Sequence, residues 1–302
     1  MRLIFFTYLL LSTAIYADYF NHPDSKKIID ELIEIHGFKK SYVEEVFKNA
    51  TKQQKIIDSI SKPAEFTWTW ERYKKLFIED KRIKNGKKFI KQNIDTLNRA
   101  EKEFGVPKEI IVAIIGIETR YGKNLGKFKT FDTLASLSLG PNKGRRHKFY
   151  RSELENFLLL CNENNLDPSS IKGSYAGALG KPQFISSSYR NYAIDFDNDN
   201  YADLWNSNAD VIGSVANYLK RNGWSRNGLI LTDLDVENNK STLEKLSKKT
   251  YKPHTVYKKY MNLKIVSSNK INMNEKLSII KRIEGNKDVY SFGHKNFYTI
   301  TR

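Results

Sequence analysis

Glu118 is the residue of this sequence best placed for acid chemistry. It closes the stretch Pro107 to Gly122, PKEIIVAIIGIETRYG, behind the apolar residues Ile110, Ile111, Val112, Ala113, Ile114, Ile115 and Ile117. An ionised carboxylate in apolar surroundings is disfavoured, so its pKa rises unless a cation pairs with it, and an acid still protonated near neutrality can donate. The plainer alternative is a solvated residue at a helix end, or half of an ion pair with Arg120. A second suggestive stretch is DFDNDNYADLWN, which sets Asp195, Asp197 and Asp199 at alternate positions, then Tyr201, whose carbonyl is available, and Asp203. These are positions one, three, five, seven and nine of a calcium loop. Asn200 stands where the sharp turn usually has Gly, although Asn tolerates the left-handed conformation. Asn206 stands where a bidentate Glu is expected, and Asp210 could replace it. A solvated acidic turn is the alternative reading here.

The elements that must hold these groups are mostly helical. Pro107 suits the first position of a helix, Glu109 its positive first turn, and Gly122 its stop. With apolar residues on every face, that helix is expected to be buried all round. Upstream, Ile28, Ile29, Leu32 and Ile33, then Tyr42, Val43, Val46 and Phe47, recur at helical spacing between Ser25 and Ser61, with Gly37 between two short helices. Pro63 and the aromatic-rich FTWTWERYKKLF follow, and Lys87 to Phe104 reads as one further helix. Downstream, TFDTLASLSL is expected as a helix capped by Thr130 or Asp132. The loop GPNKGRRHKFY carries Arg145 and Arg146, and Ser152 to Asn162 is amphipathic. GSYAGALGKPQFISSSYRNYA is rich in small residues, which let the backbone approach a neighbour or ligand closely. Val211 to Lys220 reads as a helix, and beyond Trp224 the segments ILTDLDV and NLKIVSS read as strands. The expected class is therefore mainly α (α+β), in one catalytic unit over 18–302. A helical core occupies about 64–224, an EF-hand-like loop 195–210 and an irregular, partly β extension 225–302.

Composition narrows the setting. MRLIFFTYLLLSTAIYA has a basic Arg2, an apolar run and small residues at Ser12, Ala14 and Ala17, so residues 1–17 read as a signal peptide. No later segment approaches the ~20 apolar residues of a membrane span, so no transmembrane segment is expected. Export to the periplasm is. Cys161 is the one cysteine and lies in the apolar run NFLLLC, which excludes an intramolecular disulfide and suits a small buried hydrophobe. No cysteine follows the signal region to carry a lipid anchor. The net charge of +17 would suggest nucleic acid in a cytoplasmic protein, but an exported chain meets cell-wall polymers and anionic lipid instead. The lysines are scattered, as on a solvated surface, so no nucleic-acid partner is expected.

Taken together, GVPKEIIVAIIGIETRYG, the Arg pair, GSYAGALGKPQFISSSY, NYAIDFDNDNYADLW and IGSVANYLKRNGW resemble the lytic murein transglycosylase B family, glycoside hydrolase family 103. The match is dense from about Ala64 to Trp224. It implies a lysozyme-like helical core with a small calcium loop, acting on peptidoglycan glycan strands. By that resemblance Glu118 corresponds to the single catalytic acid, and Ser174, Gln183, Tyr218, Arg145 and Arg146 to groups lining the glycan cleft, with Tyr73 a looser match. The Arg pair would suit muramyl lactate or peptide carboxylates, which guanidinium binds bidentately. Asp195, Asp197, Asp199 and Tyr201 match the metal loop, with one extra residue before Asp210 relative to the family. The family usually continues beyond a segment like NFYTITR, whereas this chain stops at Arg302, from which weakened glycan binding on a surviving fold is expected.

A glycosidase usually needs two carboxylates, and the central motif offers one. The expected activity is therefore cleavage of the MurNAc to GlcNAc bond with 1,6-anhydroMurNAc ends, by a monomer that needs no catalytic cofactor, holds structural calcium and works beside other cell-wall remodelling proteins. A hydrolytic muramidase on the same bond and an inactive glycan-binding scaffold are the alternatives.

Overall fold

The computed structural model describes residues 19–61, 70–140, 144–234, 240–248, 250–285 and 287–301. The expected signal segment and the aromatics Phe66 and Trp68 lie outside the described residues. The first helices are α1 (Pro23–Glu34), α2 (Lys40–Lys48), α3 (Gln54–Ser61), α4 (Trp70–Phe77), α5 (Asp80–Gln92) and α6 (Ile94–Phe104). Next come α7 (Lys108–Thr119), β1 (Phe128–Lys129), α8 (Thr130–Ser138), α9 (Arg145–Glu163), β2 (Lys172–Gly173), α10 (Ser186–Tyr192) and α11 (Asn208–Arg221). The chain ends with β3 (Leu231–Asp233), α12 (Lys240–Ser247), β4 (Thr255–Val256), α13 (Tyr257–Asn262), β5 (Lys276–Glu284), β6 (Lys287–Gly293) and α14 (Lys295–Ile300). The mainly helical class with a small C-terminal sheet is as expected. These elements form two compact units, each built from two stretches of chain.

The first unit takes residues 1–62 and 128–177. Its core helix is α8, of which every residue is buried although half are polar. The polar groups survive burial because they find partners. Asp132 accepts the Thr51 N–H at 3.0 Å, and the Ser136 hydroxyl accepts the Gln53 N–H at 2.8 Å and the Tyr19 hydroxyl at 3.1 Å. Asp132 is thus not the cap expected of it; Lys129 stands at that position, with no side-chain hydrogen bond. The helix α9 begins seven residues earlier than its amphipathic pattern suggested, at Arg145 after Gly144 (φ 67°), so the Arg pair opens a helix. Cys161 is buried in α9, and burial pushes its thiol up to about 12, as befits a small hydrophobe.

The second unit takes residues 63–127 and 178–302, with α7 packed against α5, α6 and α11. The single helix expected from Lys87 to Phe104 is two, because the backbone of Asn93 leaves helical geometry and its amide caps the Phe89 carbonyl at 2.8 Å. Nor is α7 buried all round. Ile111, Val112, Ile115, Gly116 and Thr119 face inward, while Ala113, Ile117 and Glu118 are exposed, with Ile110 and Ile114 between. The open positions recur three and four residues apart, forming one stripe that ends in the acid. α11 runs antiparallel to α7. Its far end is pinned where the Trp224 indole donates to the Gly105 carbonyl at 2.8 Å, next to the start of α7.

The four strands β3, β6, β5 and β4 lie side by side in that order, all antiparallel. Leu243, Tyr257, Tyr260, Leu277, Ile279, Tyr290 and Phe292 form the core between this sheet and its helices. NLKIVSS is not a strand, since α13 runs into it and β5 lies further on.

Close packing of α7 rests on Gly116, where an added methyl would lie 2.5 Å from the Tyr121 hydroxyl and 2.7 Å from its ring carbon. That ring is held by its hydrogen bond to the Arg82 carbonyl at 3.1 Å and by Phe89 at 5.6 Å. Gly116→Ala is therefore expected to cost about 1–3 kcal/mol by overpacking, read as a lower urea midpoint at unchanged slope. An unchanged midpoint would show that the Tyr121 ring is free to leave.

Candidate active site

Glu118 occupies the last turn of α7 and, among the described residues, makes no hydrogen bond or ion pair. Its side chain is reachable by solvent, yet protein surrounds enough of the carboxyl to raise its pKa, and this loss of water is the cause. The ion pair that would have lowered its pKa is used elsewhere. Arg120 reaches Glu79 at 3.1 Å.

The chain reversal after Glu118 explains this. α7 ends in an αL cap, with the Arg120 N–H on the Gly116 carbonyl at 3.1 Å, and the Tyr121 N–H reaches back to the Ile115 carbonyl at 3.3 Å. Arg120 (φ 53°) takes the left-handed position usually given to Gly, and Tyr121 (φ 61°) continues it. Gly122 comes too late to be the stop expected of it.

Thr119 ties this turn to the small-residue segment. Its hydroxyl donates to the Lys181 carbonyl at 2.7 Å and accepts the Gly122 N–H at 3.0 Å. Residues 179–184 close a tight loop, paired at Leu179 and Phe184, with Gln183 left-handed (φ 53°). Gly180 is required there: a methyl on it would lie 2.6 Å from the Leu204 carbonyl oxygen. The Gln183 amide donates to the Gly180 carbonyl at 3.1 Å. Tyr218, half-buried on α11, packs against Phe184 at 5.5 Å and Tyr192 at 5.0 Å. Tyr73 lies on α4 against Phe77, its ring 40% exposed. These residues share the second unit with Glu118. Ser174, Arg145 and Arg146 belong to the first. Ser174 follows β2 and its hydroxyl accepts the Ala176 N–H at 3.3 Å, while the Arg pair is exposed in the first turn of α9, where the helix dipole favours anions over cations.

In the acidic loop, carboxylate oxygens of Asp195, Asp197 and Asp210 lie within 4.8 Å of one another. Asp210 is fully buried in the first turn of α11. It accepts the Phe196 N–H at 2.6 Å and the Asp203 N–H at 2.8 Å, so it is tied to both ends of the loop. Asp195 accepts N–H groups of Asn198 and Asn200, each at 2.7 Å. Asn198 (φ 64°) and Asn200 (φ 74°) are left-handed, the conformation a glycine would otherwise supply. Asp199 stands apart from the trio and accepts the Tyr201 N–H at 2.9 Å; Asp203 closes on Trp205 and Asn206. Three carboxylates this close repel one another, and a hard cation with oxygen ligands would relieve them.

A family model described as the transglycosylase SLT domain matches residues 21–302. The chain belongs to that family. It is 35% identical over 299 residues to the membrane-bound lytic murein transglycosylase B of Escherichia coli strain K12, spanning 94% of this chain and 79% of the relative. The catenated lytic transglycosylase SltB1 of Pseudomonas aeruginosa superposes with a TM-score of 0.88 at 36% identity, covering 94% of this chain and 92% of the other. The Escherichia coli lytic transglycosylase Slt35 in complex with calcium gives 0.82 at 34% identity, covering 95% and 89%. The chain is a lytic transglycosylase on a mainly helical, lysozyme-like scaffold. No helix among the described residues is long and apolar enough to cross a membrane.

Partial desolvation of the Glu118 carboxyl leaves a signature in stability. Its pKa is higher folded than unfolded, so the unfolded chain releases the proton first and stability falls as pH rises from the ordinary carboxylate range through the folded value. Glu118→Gln has no proton to lose. The variant is expected to match the parent's melting temperature below that range and exceed it at neutral pH. A variant melting lower at neutral pH would mean the ionised carboxylate is stabilised after all.

Proposed function

We propose that Glu118 is the single general acid and base of a peptidoglycan lytic transglycosylase. The observation that carries this reading is the partly desolvated carboxyl on α7, raised in pKa and without an ion-pair partner among the described residues. Other carboxylates have prior engagements: Asp132 is buried on the Thr51 N–H, Glu79 holds Arg120, and the loop aspartates hold backbone N–H groups or one another's company. With one acid, the substrate supplies the nucleophile.

Glu118 gives its proton to the oxygen between MurNAc and GlcNAc, and the GlcNAc alcohol leaves. The MurNAc acetamido oxygen closes on C1 as that bond breaks. Glu118, now a carboxylate, takes the proton from the 6-hydroxyl of the same sugar while O6 displaces the acetamido oxygen at C1. The product is a 1,6-anhydroMurNAc end, the acid has its proton back, and no water is consumed. Such a double role needs a pKa near the working pH. Gln183, Tyr218 and Tyr73 line the glycan in this reading; Ser174, Arg145 and Arg146, of the other unit, are assigned to glycan binding by the family resemblance alone, the arginines suiting lactate or peptide carboxylates. The signal-like residues 1–17 support export, which places the chain with its polymer in the periplasm, as a monomer among other wall-remodelling proteins.

Calcium belongs to the same proposal as a structural ion. Asp195, Asp197 and Asp210 would hold it, with Asp199 and Tyr201 completing the oxygen set, and it would brace the loop without touching the reaction. A relative has been solved with calcium.

Four measurements test these assignments. Glu118→Gln should still bind glycan strands but lose roughly 10²–10⁴-fold in turnover. Mass spectrometry of sacculi cut by the parent should show anhydro ends, and reducing-end MurNAc would establish hydrolysis instead. Wild-type turnover should fall as pH rises through the raised Glu118 pKa, because the ionised form cannot donate. Removal of calcium by chelator should lower the melting temperature, since a ligand of the folded state stabilises it by mass action. An unchanged melting temperature would leave the loop a solvated acidic turn.

A further inference from the structure

A cavity of about 840 Å³ opens in the second unit at a place none of the residues above occupies. It lies between the turn that follows α11, the segments leading into β4 and β5, and α14. Lys252, Lys270, Lys276 and Lys295 stand on its wall, all exposed, and none pairs with a carboxylate among the described residues. Glu275 is the one acidic residue of the lining, and it is engaged by the His294 ring at 2.8 Å. The other nitrogen of that buried imidazole meets the Thr232 hydroxyl, also at 2.8 Å. The polar groups of the floor are thus satisfied, while the four ammonium groups around it have no counter-charge among the described residues. Like charges set around a concave wall focus their field inward and attract an anion. The volume suits a ligand of small-molecule or short-peptide size.

Lysines act as separated point charges, unlike the planar fork of arginine that grips one carboxylate or phosphate. Four of them around one cavity fit a ligand whose negative charges are spread along a chain. The position adds to this. Asn222 and Ser225 of the lining flank Trp224, which is bonded to Gly105 beside the start of α7, whereas Glu118 is in the last turn of that helix. At 1.5 Å per residue the two sites are separated by about 15 Å along the helix axis. A peptide branch on the strand being cut, or on its neighbour, falls within that reach.

We propose that this cavity is an accessory site for the carboxylate-bearing peptide of the glycan strand, holding the substrate while Glu118 acts at the sugar. It rests on the peptidoglycan reading above, so its test includes a binding measurement that needs no turnover. In the Glu118→Gln chain, a synthetic tetrapeptide with three carboxylates should bind at low salt by calorimetry. The fourfold variant Lys252→Gln, Lys270→Gln, Lys276→Gln, Lys295→Gln should weaken that binding about tenfold and flatten its salt dependence. With Glu118 intact, the same four changes should raise KM on peptide-bearing strands and leave kcat, and the KM on strands stripped of peptide, unchanged. Equal losses on both kinds of strand, no loss on either, or displacement of the peptide by inorganic phosphate at lower concentration than by acetate would overturn the assignment. A chain that binds the peptide with lysine dependence yet yields no anhydro ends would keep this site and remove the reaction proposed for Glu118.

Discussion

A carboxylic acid whose pKa is to stand above the ordinary carboxylate range must be partly shielded from water and kept from cations at once, and the turn after α7 meets both conditions at Glu118. Desolvation alone raises the pKa of Glu118, and a guanidinium within ion-pair distance would cancel it. The danger is close, because Arg120 is only two residues on. Ending the helix at Thr119 and turning Arg120 left-handed sends its charge to Glu79 instead.

That turn is uphill for its own backbone. Two L-residues in succession at positive φ cost on the order of 1–2 kcal/mol each. The compensation is visible around Tyr121, whose hydroxyl bonds the Arg82 carbonyl while its ring fits over Gly86 and Gly116 and against Phe89. The two glycines therefore act as sockets for one aromatic ring rather than as flexible points. Thr119 then joins the turn to residues 179–184 through the Lys181 carbonyl, so the backbone carrying Gln183 is fixed to the residue adjacent to Glu118.

Much of this was legible in the chain, and the failures share causes. The order of helices, the acid at the end of α7 and the calcium-like spacing follow from periodicity and residue type, which act locally. Exposure did not follow: apolar residues on all sides of α7 suggested full burial, yet the helix buried throughout is α8, half of it polar, because Thr51, Gln53 and Tyr19 supply partners that no local pattern encodes. Helix ends were misplaced where tertiary contacts override propensity, as at Asn93, Arg120 and Arg145. The β5–β6 hairpin was missed, although its signal was present. Glu284 and Lys287 face each other across the ladder, and the sequence between them, Gly-Asn, is a pair of residue types that favours a two-residue hairpin connection. The charge density of KLSIIKRIEGNKD hid it, since β5 buries only its Leu277 to Ile280 end.

The acidic loop and the acid are physically continuous. Asp210 bonds Phe196 and Asp203 while Ser207, the cap of α11, holds Asp197 at 2.6 Å, so the loop is sewn to the first turn of that helix. Lys181 then reaches the same region from the other side, donating to the Asn206 carbonyl at 3.0 Å and the Asn208 amide oxygen at 2.6 Å. Its own carbonyl is the one that Thr119 grips. A displacement of the loop therefore has a short covalent and hydrogen-bonded route to the end of α7: through Lys181, across one hydrogen bond to Thr119, and along one peptide to Glu118. Asp195, Asp197 and Asp210 stand at the start of that route, and a cation between them would relieve their mutual repulsion. In the reaction proposed above, the loop would share in positioning Glu118 without supplying a group of its own.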